Sequence, residues 1–358
     1  MIVVIRVDAS VKIGSGHVMR CISLAQNLKN KFITVEFICR EHKGHLINYI
    51  KNMGFTTHVL NLKLLSKNND IDNSSLYHRD WLETTQKQDA KDCKKILKKI
   101  QVDWLIVDHY AIDKSWQSQV LDMCKKLMVI DDLADREHMC DVLLDYSYNG
   151  NLNRYNALVP KYCKLLLGLN FCLIRLEFLQ WRKYSQDNHK NEQLRKILIT
   201  MGGHDKKNIT SKILENLNLL NLPVEVSITV VMSGFSPHIH SIRKQVEIAE
   251  HDVTIKENVS NMAELISNSD LVISAAGSTV WEICCLGVPS VLVVAEDNQL
   301  QSIQEFNKIG LYFTDFSQEN FILDLKYMLH DFNNNSNTKW KNIVDGKGVD
   351  RVTKVLLN

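Results

Sequence analysis

A histidine follows a short glycine loop soon after the first apolar run of the sequence. Residues 3–7 (VVIRV) have the composition of a buried strand, and Gly14, Ser15 and Gly16 lead from it to His17. Such a loop is typical of anion binding, because the first N–H groups of a helix are unpaired and carry partial positive charge. Imidazole suits general-base chemistry near neutral pH, and a helix N-terminus favours its neutral form. The spacing predicts a basic His17 beside a bound phosphate; the simpler alternative is a histidine that caps the helix or donates to phosphate.

Two later junctions between a strand and a helix also carry small residues. They are Gly202 with Gly203, and the segment AAGST at 275–279. Glycine lets the backbone close around an anion, and three such loops at strand ends indicate a phosphorylated ligand. Glu282, one turn into the following helix, is placed to accept both hydroxyls of a ribose, or simply to complement the helix dipole. The sequence thus predicts a nucleotide site formed by Gly14, Ser15, Gly16, Gly202, Gly203, Gly277, Ser278, Thr279 and Glu282.

Other polar side chains at predicted strand or helix ends are candidates for binding a sugar. Asp8 ends the first strand, where it would orient the base, bind the sugar, or be an ordinary strand-end acid. His109 and Tyr110 close a later strand and would contact the sugar, unless they only pack there. Asn298 and Gln299 open a predicted helix, and their amides suit hydroxyl or acetamido groups as well as an ordinary helix start.

The sequence offers little for a metal or for a disulfide framework. Nine cysteines are scattered without a C-x-x-C pair, which fits free thiols in a reducing cytoplasm. No His or Cys cluster has metal-ligand spacing, and adjacent acids such as Asp131 and Asp132 more often cap a turn. No G-x-x-x-x-G-K-[ST] is present and no complete G-x-G-x-x-G follows a strand, which argues against a P-loop NTPase and a dinucleotide. We predict a cytoplasmic protein with no metal and no cofactor.

Length and charge narrow the choice of partners. A chain of 358 residues predicts two domains, and 45% hydrophobic with 23% charged residues is ordinary for a globular protein. The formal net charge of +2 gives no reason to expect nucleic acid or a membrane surface as a partner. Arg6 and Asp8 break the first apolar run, unlike a signal peptide, and no segment reaches the roughly 18 apolar residues of a membrane span. We expect a monomer that acts on a small molecule.

Short apolar runs alternate with longer amphipathic ones, which predicts parallel sheets covered by helices. The expected strands lie in 3–7, 34–39, 104–110, 127–135, 140–147, 195–203, 224–234, 271–277 and 288–296. The expected helices are 17–30, 45–54, 89–101, 209–220, 262–269, 278–287 and 298–310, and the polar stretch 61–80 is expected to be a loop. The pattern divides into a domain at 1–170, a linker at 171–194, a second domain at 195–330 and a helical tail at 331–358. Ligands in such sheets bind at the carboxyl ends of the strands, where the glycines fall.

Two sets of motifs resemble known families. The stretch MAELISNSDLVISAAGSTVWEICCLGVPSVLVVAEDNQ resembles the UDP-sugar half of MurG-like GT-B proteins. The blocks RVDASVKIGSGHVMRC, WLIVDHY, VIDDLADREHMCDVLLDYS and LLLGLNFCLIRLEF resemble, in order, the PseG family of nucleotide-sugar hydrolases. The second resemblance extends over nearly the whole chain, and its first block is the more specific.

The resemblance implies a GT-B fold of two Rossmann-like, doubly wound parallel-sheet domains facing a central cleft. It implies cleavage of a UDP-linked 2,4-diacetamido-2,4,6-trideoxy sugar to UDP and free sugar in pseudaminic acid biosynthesis. Water would attack the anomeric carbon with inversion, His17 would be the base, and no metal would be needed. A glycosyltransferase, a hydrolysing UDP-sugar 2-epimerase and a nucleotide-sugar-binding regulatory protein without turnover are the alternatives.

Overall fold

The structure is a computed structural model of the chain. The structure describes residues 1–62, 76–147, 153–188, 194–202, 205–220, 222–294, 311–315, 326, 340–341 and 343–358. The chain forms two compact units, of which the first combines Met1–Leu173 with Lys347–Asn358 and the second is Ile174–Gly346.

Strands and helices alternate along the described chain. The strands are β1 (Ile2–Val7), β2 (Thr34–Arg40), β3 (Thr56–Leu60), β4 (Val102–Asp108), β5 (Cys124–Ile130), β6 (Val142–Asp145), β7 (Lys164–Leu167), β8 (Lys196–Thr200), β9 (Ser227–Met232), β10 (Asp252–Glu257), β11 (Leu271–Ala275), β12 (Ser290–Val294) and β13 (Tyr312–Asp315). The helices are α1 (Gly16–Lys29), α2 (Ile47–Asn52), α3 (Gln86–Leu97), α4 (Lys114–Val120), α5 (Leu176–Asn188), α6 (Ile209–Leu219), α7 (Ile239–Glu247), α8 (Met262–Ser267), α9 (Thr279–Leu286) and α10 (Gly348–Leu357).

The first unit is built on a seven-stranded parallel sheet in the order β3-β2-β1-β4-β5-β6-β7. The apolar runs of β1 and β4 are buried almost throughout, because these strands lie at the centre with neighbours on both sides. Val7 pairs with Asp108, so the carboxyl ends of β1 and β4 lie level. After β1 the chain continues to β2 on one side, and after β4 it continues to β5 on the other side. A doubly wound sheet opens a crevice for a ligand at such a position.

The second unit repeats the arrangement with six parallel strands in the order β10-β9-β8-β11-β12-β13. Its core is formed by buried Ile, Leu and Val side chains of β8, β9, β11 and β12, together with those of α6 and α7. Gly202 follows β8 and Gly277 follows β11, so both glycines stand at the switch point of this sheet.

The predicted strands in the middle of both sheets are confirmed, and the domain boundaries differ from the prediction at two places. The expected linker at 171–194 contains α5, which packs on α8 and α9 as part of the second unit. The end of the expected tail at 331–358 is α10, which packs on α1 in the first unit. The predicted helix 298–310 and most of the stretch 61–80 lie outside the described residues.

Two close contacts fix α10 on the first unit. The indole Nε1 of Trp104 donates to the carbonyl oxygen of Leu356 at 2.9 Å. A Cβ at Gly348 would lie 2.2 Å from the carbonyl oxygen of Cys172, so only glycine permits this approach.

Within the part of the chain that the structure describes, no helix is long and apolar enough to cross a bilayer.

Candidate active site

The loop after β1 folds tightly before α1 begins. Ser10 Oγ accepts hydrogen bonds from the backbone N–H groups of Lys12 (3.1 Å) and Ile13 (3.0 Å), and the Ser10 carbonyl accepts from the N–H of Gly14 at 2.8 Å. Gly14 has φ +80°, a left-handed conformation in which glycine is favoured. Gly14 and Ser15 are exposed, and His17 is the second residue of α1, as predicted. The loop therefore delivers His17 to the carboxyl end of the central strands.

His17 forms a close pair with the last residue of β4. Its Nδ1 lies 2.6 Å from Oδ1 of Asp108, whose carboxyl group is completely buried. A carboxylate only accepts, so Nδ1 carries the proton and donates to Asp108. In the neutral ring the lone pair is then on Nε2, and Nε2 has no hydrogen-bond partner among the described residues. This is the tautomer that a general base needs.

Arg20, one turn beyond His17 on α1, holds the other side of the same carboxylate. Its Nε donates to Asp108 Oδ2 and its Nη2 to Asp108 Oδ1, both at 2.6 Å. Burial alone would raise the pKa of Asp108, but the Arg20 guanidinium and then His17 hold that pKa well below its ordinary value. Asp108 is therefore a permanent anion that is fixed by a two-point contact and orients the imidazole ring.

Tyr110 and Asp132 extend this network toward His17. The hydroxyl of Tyr110 donates to Asp132 Oδ1, and Arg20 Nη1 donates to Asp132 Oδ2 at 3.0 Å. Burial and the nearby Asp132 carboxylate raise the pKa of Tyr110, which keeps it protonated. The ring of Tyr110 meets the edge of the His17 ring at a centroid distance of 4.5 Å. Tyr110 thus lies beside the candidate base, as expected of a residue near the reacting group.

Asp8 and His109 lie deeper than the sequence suggested. Asp8 Oδ1 accepts from Arg6 Nη1 (2.5 Å) and from the backbone N–H of Arg40 (2.7 Å). Its Oδ2 faces Nε2 of His42 at 3.2 Å and Nε2 of His109 at 3.3 Å. Burial lowers the pKa of His109, so it is a neutral core histidine. Asp8 has no oxygen left for a sugar and does not contact the base, which is oriented by the acid of the neighbouring strand instead.

The junction between β11 and α9 keeps an open backbone. A Cβ at Gly277 would meet no heavy atom within 4 Å, and Gly277 and Ser278 are exposed. Ser278 is the N-cap residue of α9, and its side chain makes no capping hydrogen bond. Thr279 follows as the first helical residue, half-buried. This junction has the exposed glycine and the hydroxyl groups that the nucleotide prediction requires.

Glu282 has a protein partner that the sequence did not reveal. Arg175 binds it at two points, with Nε to Oε1 at 2.8 Å and Nη2 to Oε2 at 3.1 Å. Arg175 Nη1 also lies 2.9 Å from Glu177 Oε1. A ribose on Glu282 would therefore share the carboxylate with an arginine or displace it.

At the junction between β8 and α6, an aspartate binds the first N–H groups of the helix. Asp205 Oδ1 accepts from the N–H of Ile209 at 2.8 Å, and its Oδ2 accepts from the N–H of Thr210 at 2.9 Å. The first N–H groups of α6 are thus already paired with a carboxylate, which leaves less for a phosphate there than predicted. Gly202 is exposed with φ +79°, whereas Gly203 lies outside the described residues, as do Asn298 and Gln299.

The sequence interpretation missed Asp108 and Asp132 as parts of the site, and for Arg20 it left open a phosphate or an acidic partner. Arg20 had a signal, because residues three apart on a helix share a face and His17 and Arg20 are so spaced. Among the described residues, no group of three or more His, Cys, Asp or Glu side chains is arranged to hold a metal ion.

Residues 196–342 match the family model described as the glycosyltransferase family 28 C-terminal domain. Over 333 residues the chain is 26% identical to an uncharacterized protein of Methanocaldococcus jannaschii; the match covers 91% of this chain and 63% of that protein, so this chain spans less than two thirds of that relative. Over 283 residues it is 26% identical to the UDP-2,4-diacetamido-2,4,6-trideoxy-beta-L-altropyranose hydrolase of Campylobacter jejuni, covering 79% of this chain and 87% of that enzyme.

Among solved structures, MurG of Acinetobacter baumannii superposes with a TM-score of 0.68 at 14% identity, covering 99% of both chains. A likeness at this identity shows the fold. The predicted fold class, GT-B with two doubly wound parallel sheets, is confirmed, and the predicted central cleft stays a prediction.

Proposed function

We propose that the protein is a hydrolase that cleaves a UDP-linked 2,4-diacetamido-2,4,6-trideoxy sugar to UDP and the free sugar. The observation that carries the proposal is the pair of His17 and Asp108, in which a buried carboxylate fixes Nδ1 and leaves the Nε2 lone pair without a partner among the described residues. The proposed substrate is supported by the Campylobacter jejuni relative, whose name states this reaction.

In the proposed reaction, a water molecule attacks the anomeric carbon from the face opposite to UDP. The new carbon–oxygen bond forms as the bond from that carbon to the UDP oxygen breaks, so the configuration inverts. The proton of the water passes to Nε2 of His17, and Asp108 stabilises the imidazolium that results. A positioned base of this kind accelerates a reaction by about 10²–10⁴-fold. UDP leaves as an anion, and its charge is matched by helix N–H groups.

For the nucleotide, we propose the exposed junction of Gly277, Ser278 and Thr279, with Glu282 as the ribose ligand. The open space around Gly277 and the match of residues 196–342 to a glycosyltransferase domain support the assignment. We further propose that the loop of Gly14, Ser15 and Gly16 binds phosphate beside His17, because its N–H groups open a helix of 14 residues.

A glycosyltransferase is the second candidate, favoured by the same match of residues 196–342. It would use the same base, but the proton on Nε2 would come from an acceptor hydroxyl rather than from water. The two candidates differ in one observable, because a transferase releases UDP at an appreciable rate only when acceptor is present.

The experiment follows UDP release by NMR from the UDP-linked diacetamido sugar, with EDTA and without acceptor. The proposal expects UDP and free sugar in equal amounts, and the first-formed anomer of the sugar should be the inverted one. No release without acceptor would exclude the hydrolase. His17→Leu should abolish release, and an unchanged rate in that variant would remove the proposed base. A regulatory binding protein would bind the UDP-sugar and release no UDP at all.

A further inference from the structure

The segment 76–85, which precedes α3, places the ring of Trp81 beside His17 and the ring of His78 beside Trp81. Trp81 stacks on Tyr110 with 5.7 Å between the ring centroids and 28° between the planes, and its centroid is 6.2 Å from that of His17. His78 lies 4.2 Å from Trp81 and 5.4 Å from Tyr110. His78, Trp81 and Tyr110 together are called the aromatic wall. The wall lies next to the imidazole ring that the proposed reaction uses.

The segment that carries His78 and Trp81 is anchored by the two residues that follow Trp81. Leu82 is fully buried in the core of the first unit. Glu83, with φ +52°, has its carboxylate 3.0 Å from Nδ1 of His42, and Nε2 of His42 lies 3.2 Å from Asp8. Since each imidazole nitrogen faces a carboxylate, both carry protons. Burial alone would lower the pKa of His42, but its hydrogen bond to Asp8 raises that pKa overall. Trp81 is therefore held in place before any ligand arrives.

The wall offers a ligand a surface that demands no hydrogen bonds. Two cations lie beside Tyr110, and both are already paired: Arg20 binds Asp108 and Asp132. The other cation, Arg136, lies over the Tyr110 ring and is paired with Asp131 and Asp135. Trp81 packs against the core with part of its ring system and is only partly buried. Sites for small molecules are mostly lined by such aromatic faces, with a few polar groups at the reacting atoms. The adjacent base supplies that polar group.

We propose that Trp81 determines specificity by packing on methyl groups of the sugar whose anomeric carbon faces His17. The inference rests on the proposed function and deepens it. A 2,4-diacetamido-2,4,6-trideoxy hexose has three methyl groups, two on the acetamido groups and one at C6. UDP-N-acetylglucosamine has one methyl group and a C6 hydroxyl. Burial of a methyl group favours binding by about fourfold, so a wall that covers two of them contributes about 15-fold to the affinity for the diacetamido sugar and a preference of about fourfold or more over UDP-N-acetylglucosamine.

The test measures binding rather than turnover, so that it remains separate from the test of hydrolysis. Dissociation constants for the diacetamido UDP-sugar and for UDP-N-acetylglucosamine are measured by calorimetry in His17→Leu, in which the substrate survives. We expect Trp81→Ala, added to that variant, to weaken binding of the diacetamido sugar by about 15-fold and of UDP-N-acetylglucosamine by about fourfold or less. Trp81→Phe should keep most of the preference, and Tyr162→Ala, which removes an exposed aromatic ring elsewhere in the first unit, should keep all of it.

An equal effect of Trp81→Ala on both sugars would overturn the inference and leave Trp81 as a core residue only. The inference is also overturned if the ratio of the two dissociation constants is the same in folded Trp81→Ala as in folded Trp81→Phe. If neither UDP-sugar binds, the inference fails as well, whereas the proposed hydrolysis is judged by UDP release from the wild-type protein.

Discussion

Replacing Asp108 by asparagine changes one oxygen of a buried carboxylate into an NH₂ group. Oδ1 of Asp108 accepts from both His17 and Arg20, and Oδ2 accepts from Arg20 Nε. Wherever the NH₂ group of Asn is placed, it faces an N–H of Arg20, which can only donate. The placement toward His17 gains one compensating bond, since the NH₂ can donate to Nδ1 if the ring moves its proton to Nε2. In that placement the ring adopts the tautomer that cannot act as a base. In the opposite placement Nδ1 keeps its proton, but the anion that stabilises the imidazolium is lost.

We expect kcat for UDP release from the diacetamido UDP-sugar to fall by about 10²–10⁴-fold in Asp108→Asn, with KM nearly unchanged. The loss falls on kcat because Asp108 acts through the imidazole ring and has no place in contact with substrate. The change also breaks a fully buried ion pair, which costs about 3–5 kcal/mol in the free energy of unfolding. Arg20 keeps its second partner, Asp132, which limits that loss.

The assay combines initial rates of UDP release with urea unfolding of each variant at the same temperature. Asp122→Asn is a suitable control, because Asp122 forms an exposed ion pair with Lys94 and should change neither quantity. Residues that act as one unit are not additive, so Asp108→Asn in the His17→Leu background should add almost nothing to the loss of rate. A folded Asp108→Asn protein with a rate within about threefold of wild type would refute the reasoning, as would additive losses in the double variant.

Glu282→Gln should weaken UDP binding by about tenfold or more, because hydrogen bonds to a charged group contribute about 1.5–3 kcal/mol; an unchanged dissociation constant in calorimetry would leave Glu282 as the partner of Arg175 alone. The pKa of His42 is raised in the folded protein, so its contribution to stability is complete below its unfolded pKa of about 6.5 and is lost as pH rises through the folded value. In urea unfolding, the difference in the free energy of unfolding between wild type and His42→Gln should therefore decrease from pH 6 to pH 9. A difference that is independent of pH would contradict this. Burial raises the pKa of Asp145 to about 6, so the folded protein binds more protons than the unfolded chain between about pH 4 and 6. The free energy of unfolding should therefore decrease by up to about 3 kcal/mol as pH rises across that range. Asp145→Asn should abolish this decrease, and a decrease of the same size in the variant would assign it to other groups.

The strands that the sequence pattern missed share one position in the fold. They are β3, β7, β10 and β13, and each is the outermost strand of its sheet. An outer strand is less enclosed, so its sequence need not be a continuous apolar run. In β10 (DVTIKE) exposed residues alternate with half-buried ones, whereas β8 is buried from its second residue onward. Apolar runs therefore predicted the middle of each sheet, whereas β10 lacked that signal and β7 (KLLL) is an apolar run of only a few residues.

The candidate site divides in a similar way. His17 could be predicted because a glycine loop, a strand before it and a helix after it are all local in the sequence. Its contact with Asp108 joins residues 91 positions apart and depends on β1 and β4 being neighbours, which periodicity does not reveal. Within the motif DHY at 108–110 the prediction selected His109 and Tyr110, yet His109 is buried and the acid before it binds the candidate base.

The position of α10 has a consequence for how the chain folds during synthesis. Trp104 and Leu356 are bonded across 252 positions, and an entire second unit is made by the ribosome between them. Domains usually fold in the order in which they emerge, the N-terminal one first. Here the sheet beside His17 can form early. The contacts of α1 and Trp104 with α10 can form only after the second unit has been synthesised. The nascent first unit is thus left with an uncovered apolar face for many seconds at about 5–20 residues per second, which makes it a substrate for chaperones.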